Sequence, residues 1–367
     1  MKAYGSCREL NHPMVSVIIL NYNGRRILGQ LLSDCLSSVL ETSYPNFEVI
    51  FVDNGSTDDS VVSIEEKFGK DPRLKIIRNE RNLGFAEGNN VGAKYARGEY
   101  IVFLNNDIEV DNRWLKELIN IVNSDSTIGA AQSKLLLLHN RKQFDCAGGF
   151  IDYYGYASER GHGEEDKGQY DRIDEIFYAK GAAILIRHEV LESVGLFDPD
   201  FIMYYEETDL CWRIWLRGYR IVFVPTSIVY HATRATVSHR KRAVEVDFMT
   251  RYHLTTMIKN YNWINLMKYL SAFILIEIRR ATVLIMKRNT ARAKASIKAF
   301  LWNLFSLKYI WKKRLEVQLS IRRVPDTHIM RRAMLKPYPP FPHRMILHVS
   351  RFANKPNRKV PSITEVS

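Results

Sequence analysis

Three carboxylates beside an aromatic segment have the chemistry of a general base. Glu206, Glu207 and Asp209 follow the residues FIMYY at the predicted start of a helix. An apolar, aromatic surrounding raises the pKa of a carboxylate towards the value that a general base needs near neutral pH. Acidic residues in a first helical turn also stabilise the helix through its dipole, without any catalytic role. This segment alone leaves both interpretations open.

A further carboxylate, Asp107, is a candidate ligand for a divalent cation. The apolar residues 100–104 run directly into Asn105, Asn106 and Asp107. A carboxylate at the end of a buried strand is costly unless water or a cation stabilises it. Mg²⁺ and Mn²⁺ prefer oxygen ligands of this kind. Because Asn-Asn-Asp is also typical of a surface turn, the motif by itself leaves both possibilities open.

Asp53 and His231 each follow an apolar run, and each has a structural alternative to a role in a site. Asp53 ends the segment EVIFV and is a candidate for nucleotide binding, but it can also cap the helix that follows. Because Ser56 and Asp58 are equally good caps, we expect Asp53 to remain free at the strand tip. The glycines within 84–92 match neither a dinucleotide-binding pattern nor a P-loop. His231, taken alone, indicates a buried structural histidine.

The elements that must position these residues alternate between strands and helices. Apolar runs predict four strands, at 15–20, 47–52, 74–77 and 100–104. Helical patterns between them are typical of βαβ units, with a mainly parallel sheet covered by helices on both faces. Polar clusters at 21–24, 53–58 and 105–107 follow three of the strands. Ligands bind beyond the C-terminal ends of such strands, so we expect the three clusters to line one crevice.

The remainder of the chain divides by composition. Residues 152–174 are rich in Gly, Tyr and acids and predict a long, mobile loop, before further strands and helices. We predict four parts: an N-terminal extension (1–13), an α/β domain (14–236), a basic amphipathic helical region (237–325) and an extended or disordered tail (326–367).

The surplus of positive charge lies entirely in the C-terminal third. From Arg251 onward, 24 Lys and Arg face 4 Asp and Glu, a surplus of +20, whereas the preceding residues carry a net charge of −7. This distribution disfavours a uniformly basic nucleic-acid binder, and we expect no nucleic-acid partner. Basic helices with aromatic and aliphatic faces suit an anionic membrane surface. Nucleic-acid binding is the second interpretation of this charge, and a solvated helix face is the simplest one.

Cysteine spacing and hydropathy bear on the cellular location. The four cysteines show no CxxC spacing, which predicts reduced thiols in a cytoplasmic protein. No signal peptide is apparent, and no run reaches the roughly 18 apolar residues of a membrane span. We therefore expect a cytoplasmic protein that is peripheral on the inner face of the cytoplasmic membrane.

Seven motifs, taken in order, resemble family 2 glycosyltransferases of the GT-A fold, and within them the bacterial rhamnosyltransferase-like branch that builds cell-surface polysaccharides. They are VSVIILNYNG, FVDNGSTDDS, NLGFAEGNNVG, FLNND, KGAAILIR, GLFDPDFIMYYEETDLCWR and VYH. The resemblance implies an inverting, Mg²⁺- or Mn²⁺-dependent transfer from a dTDP- or UDP-linked sugar, with dTDP-rhamnose as the expected donor. The implied acceptor is a hydroxyl of a polyprenyl-linked or growing glycan.

The resemblance also implies roles for individual residues. The expected nucleotide-sugar ligands are Asn21, Asn23, Asp53, Asn82, Gly84, Asn89, Asn105 and Asn106. Asn105-Asn106-Asp107 stands in place of the DXD motif, so Asp107, with His231, would hold the metal. Because Asn105 replaces the first acid of that motif, we expect one fewer carboxylate ligand.

The implied catalytic and acceptor-side residues lie later in the chain. Glu207 is the expected base and Glu206 the second choice, in a Glu-Glu pair where Glu-Asp is commoner in the family. Asp209 would orient the acceptor or support the base. The segment EDKGQYD resembles a mobile acceptor-side loop. The residues assigned to the acceptor side are Asp166, Gln169 and Trp212.

Two other functional classes compete with this interpretation. A catalytically inactive GT-A-like module would bind a nucleotide sugar without transferring it, but the chain retains the candidate base and metal ligands. A sugar nucleotidyltransferase would share the nucleotide-binding architecture. The chain lacks the Gly-rich, Lys/Arg-containing N-terminal signature of that class, which disfavours it.

Overall fold

A ten-stranded β-sheet forms the centre of the fold, and its first half is parallel. The computed structural model describes residues 12–233 and 242–335. The first four strands are β1 (Val15–Asn21), β2 (Phe47–Asp53), β3 (Leu74–Arg78) and β4 (Tyr100–Asn105). They lie side by side in the order β3-β2-β1-β4, all parallel. The apolar runs of β1, β2 and β4 are buried because helices cover both faces of the sheet, as the sequence predicts, whereas β3 at the edge is only partly buried.

Five helices accompany these strands. They are α1 (Gly24–Leu28), α2 (Leu31–Leu40), α3 (Ser60–Phe68), α4 (Gly84–Ala93) and α5 (Trp114–Ser124). Helix α4 packs closely on β1 because it carries glycines at the contact. A β-carbon at Gly92 would lie 2.5 Å from Ile18 Cγ2, and one at Gly88 would lie 2.6 Å from Leu20 Cδ1. These glycines therefore serve helix–sheet packing.

The second half of the sheet is mixed. It contains β5 (Ile108–Val110), β6 (Ile128–Leu137), β7 (Asn140–Cys146), β10 (Asp174–Glu175), β11 (Ala183–Arg187) and β12 (Arg220–His231). The order continues β4-β11-β6-β12-β10, with β11 antiparallel to both of its neighbours. Helices α6 (His188–Val194) and α7 (Glu206–Arg217) lie between β11 and β12 in the chain. An apolar run does not reveal strand direction, so the sequence predicted only the parallel half.

The C-terminal region is helical, as predicted. It comprises α8 (Arg242–Asn260), α9 (Trp263–Met286), α10 (Thr290–Phe305), α11 (Leu307–Glu316), a π-helical segment (Val317–Ile321) and α12 (Asp326–Arg332). These helices are not an appendage, because Met257 and Tyr261 are fully buried in the same hydrophobic core as Ile18 and Phe103.

Two sequence predictions about irregular segments are wrong in part. The predicted loop 152–174 contains β9 (Ala157–Glu159), which pairs with β8 (Gly149–Asp152). The predicted extended tail begins instead with α12 and with β13 (Met334–Leu335), which pairs with β8. Asp326 anchors this end because its buried carboxylate accepts hydrogen bonds from Asn262 N (2.9 Å) and Arg322 Nη1 (2.7 Å). The predictions for 1–11, 234–241 and 336–367 lie outside the described residues.

Within the two described ranges, no helix combines the length and the apolar character needed to cross a bilayer. Cys35, Cys146 and Cys211 are buried free thiols. Burial raises the pKa of each of these thiols to about 12, which keeps them protonated and unreactive.

Candidate active site

The C-terminal ends of β1, β2 and β4 meet in one hydrogen-bonded cluster. Asn21 Nδ2 donates to Asp53 Oδ1 (3.1 Å), and Asn106 Nδ2 donates to Asn21 Oδ1 (2.9 Å). Asn23 adopts a left-handed conformation (φ 52°) and accepts from Thr57 N (2.8 Å). Asparagine tolerates this conformation better than most residues. The prediction that the three polar clusters come together is confirmed.

Asp53 is not free at its strand tip, so that expectation is wrong. Its two carboxylate oxygens accept from Ser56 N (3.0 Å) and Ser56 Oγ (2.5 Å), closing the turn before α3. Asp58 accepts from Ser60 N (3.1 Å) at the helix start. Asn21 is fully buried and its amide is used within the cluster. These contacts place Asn21 as a support for the crevice wall, not as a side chain that faces a ligand.

The loop before α4 is joined to the same region by Asn54, a residue that the sequence analysis missed. Asn54 Nδ2 donates to Asn82 Oδ1 (3.0 Å) and to Gly84 O (3.1 Å). Gly84 has a φ of 83°, a conformation that favours glycine. Asn89, expected to contact the nucleotide sugar, is buried and donates to Phe85 O (3.0 Å). Asn89 therefore stabilises α4, because its side chain points into the helix packing.

Asp107 and His231 lie side by side at the other end of the crevice. His231 Nε2 is 3.2 Å from Asp107 Oδ1, and Asn105 Nδ2 is 3.5 Å from the same nitrogen. Both residues are buried and lie at strand ends, where Ala232 N donates to Asp107 O (2.9 Å). His231 Nδ1 is 2.8 Å from Asp145 Oδ2. The structure thus brings together the two residues that the resemblance assigned to the metal.

These residues fit a divalent cation. Burial lowers the pKa of His231, but the carboxylates of Asp107 and Asp145 outweigh it and raise that pKa to about 9. The space beside Nε2 and Asp107 Oδ1 therefore stabilises positive charge. Asp145 holds the other ring nitrogen, which is the outer contact that metal-binding histidines ordinarily make. Asp145 was missed because its segment, QFDCAGG, carries no recognisable motif.

Asp145 also belongs to a second group of possible metal ligands, whose negative charge is balanced by a lysine. Ligand atoms of Asp145, Glu159 and His162 lie within 4.8 Å of one another. Lys180 Nζ donates to Asp145 Oδ1 (2.9 Å) and to Glu159 Oε2 (3.1 Å). Burial opposes ionisation, but His162, His231 and Lys180 hold the pKa of Asp145 well below its usual range. Lys180 therefore already supplies a positive charge to this acidic group.

The Glu206-Glu207 pair begins α7 directly after a strained turn. Tyr204 (φ 71°) and Tyr205 (φ 67°) are consecutive non-glycine residues in the left-handed region. Each such residue costs about 1 kcal/mol or more. Residues in such conformations cluster at functional sites. Here they directly precede Glu206 and Glu207, so they determine how the first turn of α7 is oriented.

The two glutamates differ in accessibility. Glu206 is buried, whereas Glu207 is half-buried. The Oε2 atom of each has no hydrogen-bond partner within the described part of the chain. Burial raises the pKa of Glu207 to about 6, and burial together with the neighbouring Glu207 raises the pKa of Glu206 well above its usual range. Glu207 is therefore the better suited of the two to exchange a proton near neutral pH.

Glu207 also lies near the end of β4. A β-carbon at Gly181 would be 4.0 Å from Glu207 Cδ. In the same turn, Ala182 O accepts a hydrogen bond from Asn105 N (3.0 Å). Glu207, the Asp107–His231 pair and the polar cluster around Asn21 thus lie towards one edge of the sheet.

Residues 16–195 match the Glycosyl transferase family 2 sequence pattern. The chain belongs to glycosyltransferase family 2. The O-antigen biosynthesis protein RfbC of Myxococcus xanthus is 31% identical over 249 residues, which are 65% of this chain but 19% of RfbC. The chain spans about a fifth to a half of the lengths of the curated relatives that it matches.

Solved structures with the same fold include two glycosyltransferases. GalNAc-T7, solved with UDP, GalNAc and Mn²⁺, superposes with a TM-score of 0.58 at 19% identity, covering 82% of this chain and 57% of that one. The mannosyltransferase PcManGT of Pyrobaculum calidifontis, solved with GDP-Man and Mn²⁺, gives 0.52 at 18% identity, covering 81% and 88%. At these identities the likeness shows the GT-A fold and confirms the predicted fold class.

Of the residues expected on the acceptor side of this family 2 protein, Asp166 and Gln169 share one loop, whereas Trp212 lies elsewhere. Asp166 Oδ2 accepts from Lys134 Nζ (2.8 Å), and Gln169 Nε2 donates to Glu165 O (2.8 Å) within its own loop. Trp212 is buried in the core with its ring edge-on to Phe177 at 5.4 Å, so its assignment to the acceptor side is wrong. An isolated motif does not reveal that the inner face of α7 carries this tryptophan.

Asp209 connects the first turn of α7 to helix α8. It is fully buried, and its oxygens accept from Arg213 Nε (3.0 Å), Lys259 Nζ (2.8 Å) and Asn260 Nδ2 (2.9 Å). Of the two roles expected for Asp209, these contacts favour support of the base over orientation of the acceptor.

Proposed function

We propose that the protein is an inverting, metal-dependent glycosyltransferase that moves a sugar from a nucleotide diphosphate to a hydroxyl acceptor. One observation carries this proposal: the half-buried Glu207 carboxylate lies on the same sheet edge as the Asp107–His231 pair. Glu207 would act as the base and the Asp107–His231 pair would lie at the leaving diphosphate. This arrangement suits a direct displacement at the anomeric carbon of the sugar. Hydrolases place two carboxylates around the sugar instead.

Glu207 accepts the proton of the acceptor hydroxyl as that oxygen attacks the sugar. A carboxylate with a pKa of about 6 is mostly ionised at neutral pH, yet it is more basic than an exposed glutamate. Its Oε2 atom has no hydrogen-bond partner within the described residues, so it is not committed to another donor. Burial and the neighbouring Glu207 raise the pKa of Glu206 well above its usual range, which makes Glu206 the weaker candidate for the base.

Asp107 and His231 would hold the cation, with Asp145 fixing the imidazole ring. When bound, a divalent cation offsets the charge that develops on the leaving diphosphate. Asn105, which stands near His231 Nε2, supplies an amide where a carboxylate would add charge. Because the ligand set combines one carboxylate with one imidazole, it suits Mn²⁺ better than Mg²⁺.

For donor and acceptor, we propose dTDP-rhamnose and a polyprenyl-linked or growing cell-surface polysaccharide. The sequence motifs resemble the rhamnosyltransferase-like branch, and the relative RfbC is named for O-antigen biosynthesis. The two proteins of similar fold were solved with UDP and with GDP-mannose, so this fold accepts different nucleotides. The donor is therefore the first quantity to measure.

A donor screen tests the proposed function. The full-length protein is incubated with dTDP-, UDP- and GDP-sugars and Mn²⁺ or Mg²⁺, with and without a polyprenyl-linked acceptor. Metal-dependent release of nucleoside diphosphate only when acceptor is present would support transfer. Binding of a nucleotide sugar without release would support the inactive binding module instead. Release of pyrophosphate from a nucleoside triphosphate and a sugar phosphate would support a nucleotidyltransferase.

We further propose that the C-terminal helices bind an anionic membrane surface on the cytoplasmic side. Exposed apolar side chains recur along α9 at spacings that place them on one face: Ile264, Met267, Leu275, Ile278 and Ile285. In α10, Leu304 and Phe305 are 64% and 83% exposed. Exposed lysines at 294, 298 and 308 adjoin them, and each cation adds about 1 kcal/mol near an anionic surface.

Vesicle co-sedimentation tests this attachment. We expect the full-length protein to bind phosphatidylglycerol-containing vesicles, to ignore purely zwitterionic ones and to be released by high salt. Phe305→Ser should weaken vesicle binding without affecting donor binding. Full recovery in the low-salt soluble fraction, with no binding to anionic vesicles, would refute the attachment. Tighter binding to duplex nucleic acid than to vesicles would favour the other class of anionic partner.

A further inference from the structure

We propose that Lys259, on α8, is a positioning residue for the Glu206-Glu207 pair. The inference rests on the proposed role of Glu207 as the base. It assigns to the C-terminal helical region a task in the active site, in addition to any contact with a membrane. The evidence is a set of contacts from one helix to the segment 198–209, which carries the pair.

Lys259 is buried between two carboxylates that flank the strained turn. Its side chain is 3% exposed, and its ammonium donates to Asp198 Oδ2 (2.6 Å) and to Asp209 Oδ2 (2.8 Å). Asp198 also accepts from Lys313 on α11, and Asp209 from Asn260 Nδ2 (2.9 Å). Because Asp209 lies two residues after Glu207, this ion pair fixes the first turn of α7.

The same helix also contacts the turn itself. The ring of His253 stacks on that of Tyr205 at 5.1 Å with an interplanar angle of 17°. The ring of Tyr252 stacks on Phe201 at 4.8 Å, and its hydroxyl accepts from Ile202 N (3.2 Å). Tyr205 also donates its hydroxyl to Gly155 O (3.1 Å).

These contacts account for how a left-handed turn persists at two consecutive tyrosines. Such a conformation survives only where the surroundings over-determine it. Here α8 holds the turn before the glutamates by stacking, and it holds the helix after them by buried charge. Removing one partner of a buried ion pair leaves the other uncompensated, so Lys259→Met should release this end of α7.

A simpler interpretation is that Lys259 contributes only to the stability of the fold. The two interpretations differ in what they predict for kinetics and for local exchange. A positioning role lowers kcat while leaving the KM for the donor little changed, because the nucleotide cluster lies at the ends of β1 and β2. A purely structural role lowers only the fraction of folded, active protein.

The matched control is Thr255→Val on the same helix. Thr255 is buried and donates to Asn303 Oδ1 (2.9 Å), facing α10. Tyr252→Phe is a second test variant, because it removes only the hydroxyl that contacts Ile202. Its control is Tyr261→Phe, which removes a hydroxyl of the same helix region that donates to Tyr153 O (2.8 Å).

The experiment combines hydrogen exchange of the full-length protein with donor kinetics at a temperature where every variant is folded. We expect Lys259→Met to speed exchange in 201–209 at least tenfold and to lower kcat at least tenfold, with the donor KM within threefold. Tyr252→Phe should act in the same direction more weakly, and both controls should stay within twofold. Unchanged exchange in 201–209 would overturn the proposal, as would equal effects of Lys259→Met and Thr255→Val. Because exchange needs no turnover, a wild-type protein without transferase activity would refute the proposed function separately.

Discussion

Side-chain environments differ sharply between residues of the same type in this protein. Glu207 is half-buried with an unpartnered oxygen, whereas Asp209, two residues later, is fully buried with three donors around it. Asp53 and Asp107 both end a buried strand, but Asp53 closes a turn and Asp107 faces a histidine. The chemistry available to a carboxylate here depends on its neighbours, and its position at a strand end does not decide it.

The pH dependence of turnover follows from Glu207. Burial raises its pKa to about 6, and the base form is the carboxylate, so kcat should rise about tenfold per pH unit below 6 and level off above it. Glu207→Gln should lower kcat by about 10²- to 10⁴-fold and abolish that rise. Nucleotide binding measured by calorimetry serves as the control and should be retained. Turnover within tenfold of wild type would remove Glu207 from the mechanism.

Asp145 should tune the cation site through His231. Asp145→Asn keeps the shape but removes the charge that orients the ring, so the affinity for Mn²⁺ should fall about 10- to 100-fold. Electron paramagnetic resonance of free Mn²⁺ measures this without any turnover. Asp247→Asn changes a buried acid that pairs with Arg251 on α8, and it should leave Mn²⁺ affinity unchanged. Equal affinities for the two variants would contradict the role of Asp145.

At the scale of elements, close packing and buried contacts set the site. Helix α4 approaches β1 through two glycines, and α7 is held by α8 at both sides of its first turn. The sequence predicted the four parallel strands and the helix α7 because apolar periodicity is a local property. It did not predict that β11 runs antiparallel to its neighbours, nor the contacts of α8, since pairing partners depend on the packing of distant segments.

Gly92→Ala tests the packing of α4. The added methyl would lie 2.5 Å from Ile18 Cγ2 and 2.9 Å from Val52 Cγ2, so the free energy of unfolding should fall by about 1–3 kcal/mol. Urea denaturation measures the change. Lys94→Ala, at an exposed position just after α4, should stay within about 0.5 kcal/mol. A neutral or stabilising effect of Gly92→Ala would show that the helix can move away from the sheet at little cost.

At the scale of the whole molecule, the acidic α/β part and the basic helices form one structure. Leu254, Met257 and Tyr261 of the C-terminal region are buried in the core that contains Ile18 of β1. The change of net charge along the sequence therefore does not coincide with a division of the hydrophobic core. It does not mark the border of a separate folding unit.

The shared core predicts cooperative unfolding. Amide protons of α8 and of β1 should exchange with the same free energy of opening near the global limit, because neither can separate without exposing the common core. Native-state hydrogen exchange in rising denaturant measures both. Opening of α8 at a free energy several kcal/mol below that of β1 would mean that the helical region unfolds independently.

The sequence by itself determined the residue types at the strand tips, the order of the motifs, the α/β fold class and the segregation of charge. These are local or compositional properties, so no distant contact is needed to see them. Tertiary structure alone decided which side chains meet. Asp145 reaches His231 across 86 positions, and Lys259 reaches Asp209 across 50. A hydrogen bond between such distant residues depends on how the intervening elements pack, and no short pattern in the chain records it.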